Sequence, residues 1–422
     1  MCRGILPAKA ANKEDKVLNV NQDMFIDRIL REYPEAIQVF VSNGFEDFAD
    51  NDLISRLGPF LKLKTALKAR GINVDLFLQL IEEKLAETRG LNMTAVHDLK
   101  PGQKAPNLLA LLPCPLKVPL QEEFSSFIYS SYRQGELEYL IEGNANNQLS
   151  YYTYVEQFED IDDVPDIVIS PGINSFFYKG FVEKFIDRGY FADAAEHMPG
   201  EALKRAGIKD PGGNYTMICM NLLVMVADLT QLGGLPLPES WGDLLHPQYE
   251  KRVVIRGQKE FFCETTLLTI FKEHGMEGIE RLGRSVKAGW HPSQMAKMAG
   301  SGNANAPAVS VMPYFFTKTI KNKSNVKVIW PRDGAIISPV SMLVKASKRE
   351  RLKNAWSFFT GTRAAKICAG ALFPSLHPEV DNKIPEDASF NWIGWDFIKS
   401  RDIGGILNEL NQRFLKAYKG QG

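Results

Sequence analysis

The chain has 422 residues, of which 45% are hydrophobic and 24% charged, and its 50 basic and 50 acidic residues balance at neutral pH. This length exceeds one ordinary core, so we expect two or three domains. Zero net charge and the lack of any basic run interleaved with aromatic residues argue against nucleic acid as a partner.

The amino-terminal stretch and the cysteines bear on the compartment. Residues 1–21 contain no apolar run of signal-peptide length, and no later segment reaches about 18 uninterrupted apolar residues, so no membrane span is predicted. The five cysteines are scattered without CxxC spacing, which argues against a disulfide framework or a zinc ribbon. We therefore expect a cytoplasmic protein; a periplasmic or extracellular location would require a leader ahead of this sequence.

Apolar residues at helical spacing mark the first module. The stretches "QDMFIDRILREYPEAIQVFVSNGF" and "LKLKTALKARGINVDLFLQLIEEKLAE" both repeat the pattern of an amphipathic helix. A small helical domain is predicted over 22–90, after a flexible amino terminus at 1–21. The stretch 91–106 loses this periodicity and carries Pro101, Gly102 and Pro106, which is typical of a linker.

Short apolar runs alternate with helical segments from Leu108 onward. Runs such as "LLALL", "DIVIS" and "RVVIR" have strand length, and the alternation indicates an α/β fold with largely parallel strands buried on both faces. Two long apolar strands, predicted at Tyr215–Ala227 and Val326–Lys345, flank a block with its own strands and helices. A chain that crosses from one lobe to another and returns gives this pattern. The predicted lobes are 107–227 with 335–422 (the first lobe) and 228–334 (the second lobe).

The stretch "LPLPESWGDLLHPQYEKRVVI" carries a signature of the form "LPxSWxDLLxPxYxxxV". It resembles the extracellular solute-binding proteins of ABC importers, particularly the ferric-iron and related group. "NLLVMVADLTQLGG" resembles that family's crossover strand, and "GAIISPVSMLVKASKRERLKNAWSFFTGTRAAKICAG" its return strand and following helix. The resemblance covers roughly residues 106–420. It implies a class II periplasmic-binding-protein-like fold: two α/β lobes, two crossover strands, and a hinge that closes over a ligand without catalysis.

Residues 22–89 resemble a second family, a small helical domain of unknown function found beside iron–sulfur and di-iron repair proteins. The stretches "ILREYPEAIQVFVSNGF" and "FLKLKTALKARGINVDLFLQLI" carry this resemblance. Many members of that group have a cysteine pair just after a turn at this place. In this chain the turn reads Gly44-Phe45-Glu46-Asp47-Phe48 and contains no cysteine. The departure argues against metal or redox chemistry in this domain, and a protein partner is the alternative role.

Three loops qualify as ligand-binding by position, because ligands of open α/β lobes bind beyond the carboxyl ends of strands, beside free helix N–H groups. In the loop after "DIVIS", Gly172 would permit close backbone approach and Asn174 would cap the next helix, so its amides could hold an anion. The alternative is a plain strand-to-helix turn. The candidate residues of the three loops are Cys114, Pro115, Lys117, Ser170, Gly172, Ile173, Asn174, Gln258, Lys259, Cys263 and Glu264.

Two further candidates lie later in the chain. "MPYFF" falls where ferric-binding members carry adjacent tyrosines, but only Tyr314 matches, since Phe315 follows it. A hard trivalent ion needs several anionic oxygens, so free ferric ion is not expected. Tyr314 is predicted to contact an organic ligand, or alternatively to be a core residue. Arg332 is predicted to pair with an anionic ligand, the alternative being a pair with Asp333 on a solvated turn.

The cysteines of these loops raise a separate hypothesis. Cys114 and Cys263 could ligate a soft metal or a metallo-cofactor, with Glu264 or His291 assisting; the alternative is two ordinary thiols. No Walker loop, GxGxxG, Ser-His-Asp order or paired-histidine spacing supports catalysis, and no cofactor can be named.

Three functions stay open from the sequence. The first is a binding protein that closes over a small anionic or metal-complexed ligand and works as a cytosolic sensor or carrier. The second is a cofactor-handling or maturation enzyme that uses the cleft cysteines. The third is an interaction protein acting through its helical domain.

Overall fold

The computed structural model describes residues 20–43, 45, 61–69, 72, 74–89, 107–129, 131–133, 136–143, 151–195, 197–258 and 261–420. The chain forms two compact units, Met1–Thr88 and Arg89–Gly422. The predicted linker at 91–106 and most of the predicted flexible terminus lie outside the described residues. No helix of the described part is long and apolar enough to cross a membrane.

The first unit is helical, as predicted. Its helices are α1 (Ile26–Glu32), α2 (Ile37–Ser42), α3 (Leu63–Ala69) and α4 (Val74–Arg89), with a 3-10 turn at Pro34–Ala36. The apolar stripe predicted from the spacing forms the core: Ile29, Phe40 and Phe77 are fully buried, and the rings of Phe40 and Phe77 meet edge to face at 5.0 Å.

The second unit is an α/β structure whose described residues form an 11-stranded sheet. The strands are β1 (Leu108–Leu112), β2 (Tyr139–Gly143), β3 (Ile167–Pro171), β4 (Tyr215–Asp228), β5 (Val253–Gln258), β6 (Phe261–Phe262), β7 (Val286–Trp290), β8 (Val309–Pro313), β9 (Val326–Ile329), β10 (Ala335–Val344) and β11 (Phe390–Asn391). The helices are α5 (Cys114–Tyr129), α6 (Tyr151–Val155), α7 (Lys179–Phe181), α8 (Glu201–Arg205), α9 (Leu229–Leu232), α10 (Glu264–Ser285), α11 (Pro292–Met298), α12 (Tyr314–Thr317), α13 (Lys353–Thr360), α14 (Thr362–Gly370), α15 (Trp395–Ser400) and α16 (Ile403–Tyr418).

The strand order places two parallel groups on either side of two crossover strands. It runs β2-β1-β3-β10-β4-β8-β5-β6. β1 is parallel to β2 and β3 in the first lobe, and β5 is parallel to β7 and β8 in the second. β10 and β4 are antiparallel to each other, and they join the groups. This is the two-lobed arrangement with two crossover strands that the sequence predicted.

The packing of β1 shows why the strands of this sheet appear in the sequence as continuous apolar runs. Leu108, Ala110 and Leu112 pack into the cluster that contains Phe124 of α5, whereas Leu109 and Leu111 belong to the cluster on the opposite face. Successive side chains of a strand point to opposite faces, and helices cover both faces here. Every residue of β1 is therefore apolar and buried.

The long strand predicted at Val326–Lys345 is divided into two, β9 and β10. Between them Pro331 lacks an N–H for the sheet, and the Gly334 N–H donates to the Pro331 carbonyl at 2.8 Å, closing a tight turn. Gly334 has φ 95°, a conformation that favours glycine. The returning crossover strand is therefore β10 alone.

The carboxyl-terminal helix differs from the predicted lobe assignment of 335–422. α16 packs along α10, which belongs to the predicted second lobe: the rings of Phe414 and Phe262 are 4.6 Å apart, and Lys251 Nζ donates to the Tyr418 carbonyl at 2.6 Å. α15 stays with the first lobe, because Trp395 Nε1 donates to the Ile208 carbonyl at 3.0 Å. Periodicity predicts an apolar stripe on α16, but it does not specify which lobe covers that stripe.

Candidate functional site

The turn after β3 lies against the crossover strand β10. The Gly172 N–H donates to the Pro339 carbonyl at 2.7 Å, and Gly172 has φ 76°, in the left-handed region. A Cβ added at Gly172 would lie 3.7 Å from Ser338 Oγ. The turn that the sequence placed at the edge of the cleft therefore faces Ser338.

Ser338 also meets the second lobe. Thr265, in the first turn of α10, donates from its Oγ1 to Ser338 Oγ at 3.5 Å. Gly172, Ser338 and Thr265 thus bring together the first lobe, a crossover strand and the second lobe; we call these three residues the Ser338 junction. Two of the three predicted loops, 170–174 and 258–265, meet there.

The polar side chains of the first-lobe turn are largely used to hold the turn. Asn174 Nδ2 donates to Ser170 Oγ at 3.1 Å, and Asn174 Oδ1 accepts from the Phe176 N–H at 3.1 Å. Ser170 and Asn174 are buried. The helix that Asn174 was predicted to cap is irregular: a 3-10 turn (Ser175–Phe177), α7 and a π turn (Val182–Ile186) follow one another. Phe177, Phe181 and Phe185 of this segment are buried.

Two tyrosines of the first lobe approach Glu264 of the second. Desolvation, and then the nearby Glu264 carboxyl, raises the pKa of both Tyr152 and Tyr178, so both phenols stay protonated at neutral pH. The Tyr152 hydroxyl also hydrogen-bonds Ser170. Tyr178 is held by close packing, since a Cβ added at Gly404 would lie 2.9 Å from Tyr178 Cδ2. Two phenol groups of the first lobe therefore lie close enough to interact electrostatically with a carboxyl group of the second.

Glu264 and Arg256 form the charged part of this region. Burial raises the pKa of Glu264 to about 7, and the positive charge of Arg256 opposes that rise. Glu264 nevertheless keeps solvent-accessible surface. Among the described residues, no hydrogen bond or ion pair engages the side chain of either Glu264 or Arg256.

His291 lies near Arg256 from the next strand. β5 and β7 pair Arg256 with Trp290, the residue before His291. His291 Nδ1 accepts from the Ser293 N–H at 3.2 Å. Desolvation, and then the charge of Arg256, lowers the pKa of His291. The imidazole is exposed, which agrees with a ring that borders a cleft. His291 is therefore neutral at neutral pH.

The two cysteines of the predicted pair belong to different lobes. Cys114 begins α5 directly after β1, whereas Cys263 precedes α10 and donates its N–H to the Arg256 carbonyl at 2.9 Å. Both residues are partly buried, and neither forms a disulfide among the described residues. The described residues contain no group of three or more His, Cys, Asp or Glu side chains placed to hold a metal ion.

Other predicted residues have contacts of their own. Lys117, one turn into α5 after Pro115, pairs with Glu142 at 3.3 Å. Tyr314 is partly buried and contacts the Trp330 ring edge to face at 5.5 Å. Arg332 is exposed and lies 3.8 Å from Glu239, whereas Asp333 accepts from the Trp241 N–H at 2.9 Å. Lys259 lies outside the described residues, and only the backbone of Gln258 is described.

Four residues of this region were not predicted from the sequence: Tyr152, Tyr178, Arg256 and Ser338. One signal was available for Arg256, the charged residue near the carboxyl end of the apolar run "KRVVIRG". Strand ends of this kind are where α/β lobes bind ligands. Tyr152 and Ser338 carry no comparable signal, because an aromatic residue in a helix and a serine in a strand are both common without a ligand.

Residues 162–401 match the model of a family described as "Bacterial extracellular solute-binding protein". The chain belongs to this family. The expectation of binding rather than catalysis is thereby confirmed, and this solute-binding protein is of the ABC-importer type. Residues 20–78 match a second model, "Domain of unknown function (DUF1858)", in agreement with the predicted helical domain. No curated protein sequence matches the chain.

Solved structures with a similar fold are distant in sequence. The apo ferric ion-binding protein A of Pasteurella haemolytica is 12% identical, with a TM-score of 0.52 over 75% of this chain and 98% of that chain. A Trichodesmium protein (IdiA, FutA) in complex with iron and citrate ligands is 13% identical, with a TM-score of 0.50 over 74% and 98%. A Bordetella ferric binding protein is 13% identical, with a TM-score of 0.50 over 74% of this chain and 98% of that chain. At these identities the likeness establishes the fold of the solute-binding protein and not its ligand.

Proposed function

We propose that this solute-binding protein captures a small anionic or metal-complexed ligand beside the Ser338 junction and closes its two lobes over it. The observation that carries the proposal is the pair Arg256 and Glu264, whose side chains make no hydrogen bond or ion pair among the described residues although both lie where the lobes meet. Buried charged groups without partners are costly, so such a pair is expected where a ligand supplies the partner.

The proposed closure of the two lobes follows because each lobe supplies different groups to the candidate site. Arg256 and Glu264 belong to the second lobe, and Tyr152, Tyr178 and Gly172 belong to the first. A ligand that contacts both sets binds the closed form more tightly than the open form and shifts the equilibrium by that difference alone. Of the other predicted contacts, Cys263 and Ile173 are part of the proposal, and Arg332 is not.

The metal-complexed form of the ligand is supported only as a complex that brings its own chelator. Phenol and carboxyl oxygens are hard donors, but Tyr152 and Tyr178 are protonated phenols, so they would hydrogen-bond the chelator rather than ligate the ion. One structure of similar fold is a complex with iron and citrate ligands. Ferric citrate and iron-free citrate are therefore the first probes to compare.

The experiment begins with native mass spectrometry of freshly purified protein to identify a co-purified ligand. Affinity is then measured by calorimetry with that ligand, citrate and ferric citrate. Arg256→Met should weaken binding about ten- to a hundredfold, because a hydrogen bond to a charged group contributes about 1.5–3 kcal/mol. Arg332→Met is the matched control, since Arg332 is an exposed arginine paired with Glu239. Equal affinity of the two variants, or no bound or bindable ligand, would refute the proposal.

We further propose a cytosolic role as a sensor or carrier, with the helical domain contacting a protein partner. Cys219, Cys263 and Cys368 form no disulfide among the described residues, which supports a reducing compartment. Cell fractionation with thiol alkylation tests the location: cytosolic protein should carry all these thiols reduced. Recovery in the periplasm with oxidised cysteines would contradict this part of the proposal and leave the ligand-binding part intact.

A further inference from the structure

The two crossover strands are accessible at one position each. All residues of β4 and β10 are described, and every residue of β4 except Asn221 is buried, as is every residue of β10 except Ser338. Asn221 and Ser338 are half-buried. They are also partners in the antiparallel register of the two strands. The accessible surface of the crossover strands is therefore confined to this pair, which we call the polar row.

The polar row lies between two hydrophobic layers on one face of the sheet. Residues two apart in a strand share a face, so the row is flanked on one side by the pair Cys219 and Val340. On the other side it is flanked by the pair Leu223 and Ile336. All four flanking residues are buried, the first pair in the cluster that contains Phe124 and the second pair in a different cluster. The row therefore marks the gap between two cores.

Both lobes reach the polar row at Ser338. A Cβ added at Gly172 of the first lobe would lie 3.7 Å from Ser338 Oγ. Thr265 of the second lobe, which directly follows Glu264, donates to the same oxygen at 3.5 Å. Directly opposite residues of an antiparallel pair have Cβ atoms about 4.5–5.5 Å apart, so Asn221 lies beside Ser338. The polar row is the floor of the region where the two lobes meet.

The polar row keeps most of its capacity for hydrogen bonds. Among the described residues the side chain of Asn221 makes no hydrogen bond, and a carboxamide offers two N–H donors and an acceptor oxygen. The Ser338 hydroxyl accepts from Thr265, and its own O–H donates to no described residue. When the lobes close and displace water, unpaired donors and acceptors here are costly. A ligand that fits this floor has to accept and to donate hydrogen bonds.

We propose that the polar row binds a hydroxyl group of the ligand, and that the ligand is a small organic anion carrying such a hydroxyl. This inference rests on the proposed function and specifies the ligand class for the same site. A hydroxyl accepts from Ser338 or from Asn221 Nδ2 and donates to Asn221 Oδ1, whereas a carboxylate oxygen only accepts and leaves Oδ1 without a donor. A site built in this way rejects an analogue that lacks the hydroxyl, because its polar groups stay unpaired.

The experiment uses the full chain and two pairs of acids whose members differ by one hydroxyl: citrate with tricarballylate, and malate with succinate. The Kd of each acid is measured by calorimetry at one alkaline pH, at which the carboxyl groups of all four are ionised. We expect the hydroxylated member of at least one pair to bind about tenfold or more tightly than its analogue. A ligand that co-purifies with the protein is expected to carry a hydroxyl.

Substitutions in the polar row test whether it recognises the hydroxyl. Asn221→Leu replaces the carboxamide by an apolar branched group, so it should weaken binding of the hydroxylated acid and leave that of the analogue unchanged. Ser338→Ala should reduce the same preference. Ser341→Ala is the matched control, since Ser341 lies on the same strand, is buried and donates to the Ser170 carbonyl at 3.4 Å. It should keep the preference of the wild type, and thermal unfolding checks that each variant is folded.

Two kinds of result would overturn the assignment of the hydroxyl. The first is equal affinity within both pairs of acids, or a co-purified ligand without a hydroxyl. The second is an equal loss for both members of a pair in Asn221→Leu, because a purely structural role of Asn221 weakens both alike. The proposed function is judged separately, by whether Arg256→Met weakens binding of the co-purified ligand more than Arg332→Met does.

Discussion

At the scale of single residues, the first lobe contains one buried ion pair where the returning crossover strand ends. Lys345 Nζ lies 3.3 Å from Asp166 Oδ1, and the two side chains are 6% and 14% exposed. Asn107 Nδ2 donates to the other carboxylate oxygen at 2.9 Å, and the Lys345 N–H donates to the Asp166 carbonyl at 2.9 Å. The pair therefore fixes the end of β10 beside the start of β3.

Removing one partner of this pair should be much more costly than removing an exposed partner. Lys345→Met leaves the Asp166 carboxylate buried without its counter-charge, so we expect a loss of about 3 kcal/mol in the free energy of unfolding. Arg363→Met, which breaks an exposed pair with Glu123 at 3.1 Å, should cost less than about 1 kcal/mol. Denaturant unfolding measures both. Similar losses in the two variants would mean that burial of the Lys345 pair is unimportant.

The role of a single residue could be predicted from the sequence only where the backbone conformation at that residue defines the role. Gly172 could be predicted, because a glycine directly after a buried strand indicates a turn that needs positive φ or close approach. Tyr178 could not, since its relevance depends on side-chain direction and on contacts between distant segments; for Arg256 the only available signal was its position near a strand end. Arg332 shows the reverse: its sequence context resembles an anion-binding loop, and it is exposed beside Glu239.

At the scale of elements, α10 links the candidate site to the packing of the carboxyl-terminal helix. It begins with Glu264 at the Ser338 junction, and its second half packs against α16, where Gly283 approaches the Phe414 carbonyl. The helix breaks at Gly275, whose φ of 64° and ψ of −164° are accessible to glycine and strained for other residues. The break lies between the half that begins at Glu264 and the half that packs against α16.

Substitution of Gly275 isolates the effect of this backbone conformation. A Cβ added at Gly275 or at Gly180 would meet nothing within 4 Å, so steric contact does not distinguish the two positions. Gly275→Ala should lower the free energy of unfolding by about 1–3 kcal/mol, because alanine strains that conformation. Gly180→Ala, in the helical turn α7, should be neutral or stabilising by up to about 1 kcal/mol. Equal effects measured by thermal unfolding would show that α10 tolerates a straightened form.

A helix or strand could be predicted where the signal lies within the residues of that element itself. The apolar runs at β1, β3 and β4 have strand length and are buried on both faces, so their existence followed from sequence. The irregular helix after β3 and the partner of α16 did not, because tertiary packing decides them. The apolar spacing of Phe177, Phe181 and Phe185 is compatible with α, 3-10 or π turns.

At the scale of the whole molecule, the chain contains separate hydrophobic cores. The core of the first unit is formed by residues between Val20 and Leu85, and the clusters of the second unit contain residues from Leu108 onward. The sequence predicted this division because helical periodicity ends near residue 90 and strand-length runs begin at Leu108. The division agrees with the compact units that end and begin at Thr88 and Arg89.

Separate cores predict separate unfolding. Because cooperative unfolding requires a shared core, we expect calorimetry of the full chain to show two transitions, and a fragment of residues 1–90 to be helical by circular dichroism.

Ligand that binds only the native second unit raises its stability by RT ln(1 + [L]/Kd), about 2.7 kcal/mol when the ligand is present at 100 times its Kd. The co-purified ligand at saturating concentration should therefore raise the transition of residues 89–422 and leave that of the helical unit unchanged. Arg256→Met should reduce the shift, and Arg332→Met should keep it. A shift of both transitions by the ligand would show that the helical unit and the lobes are energetically coupled, contrary to the separation of their cores.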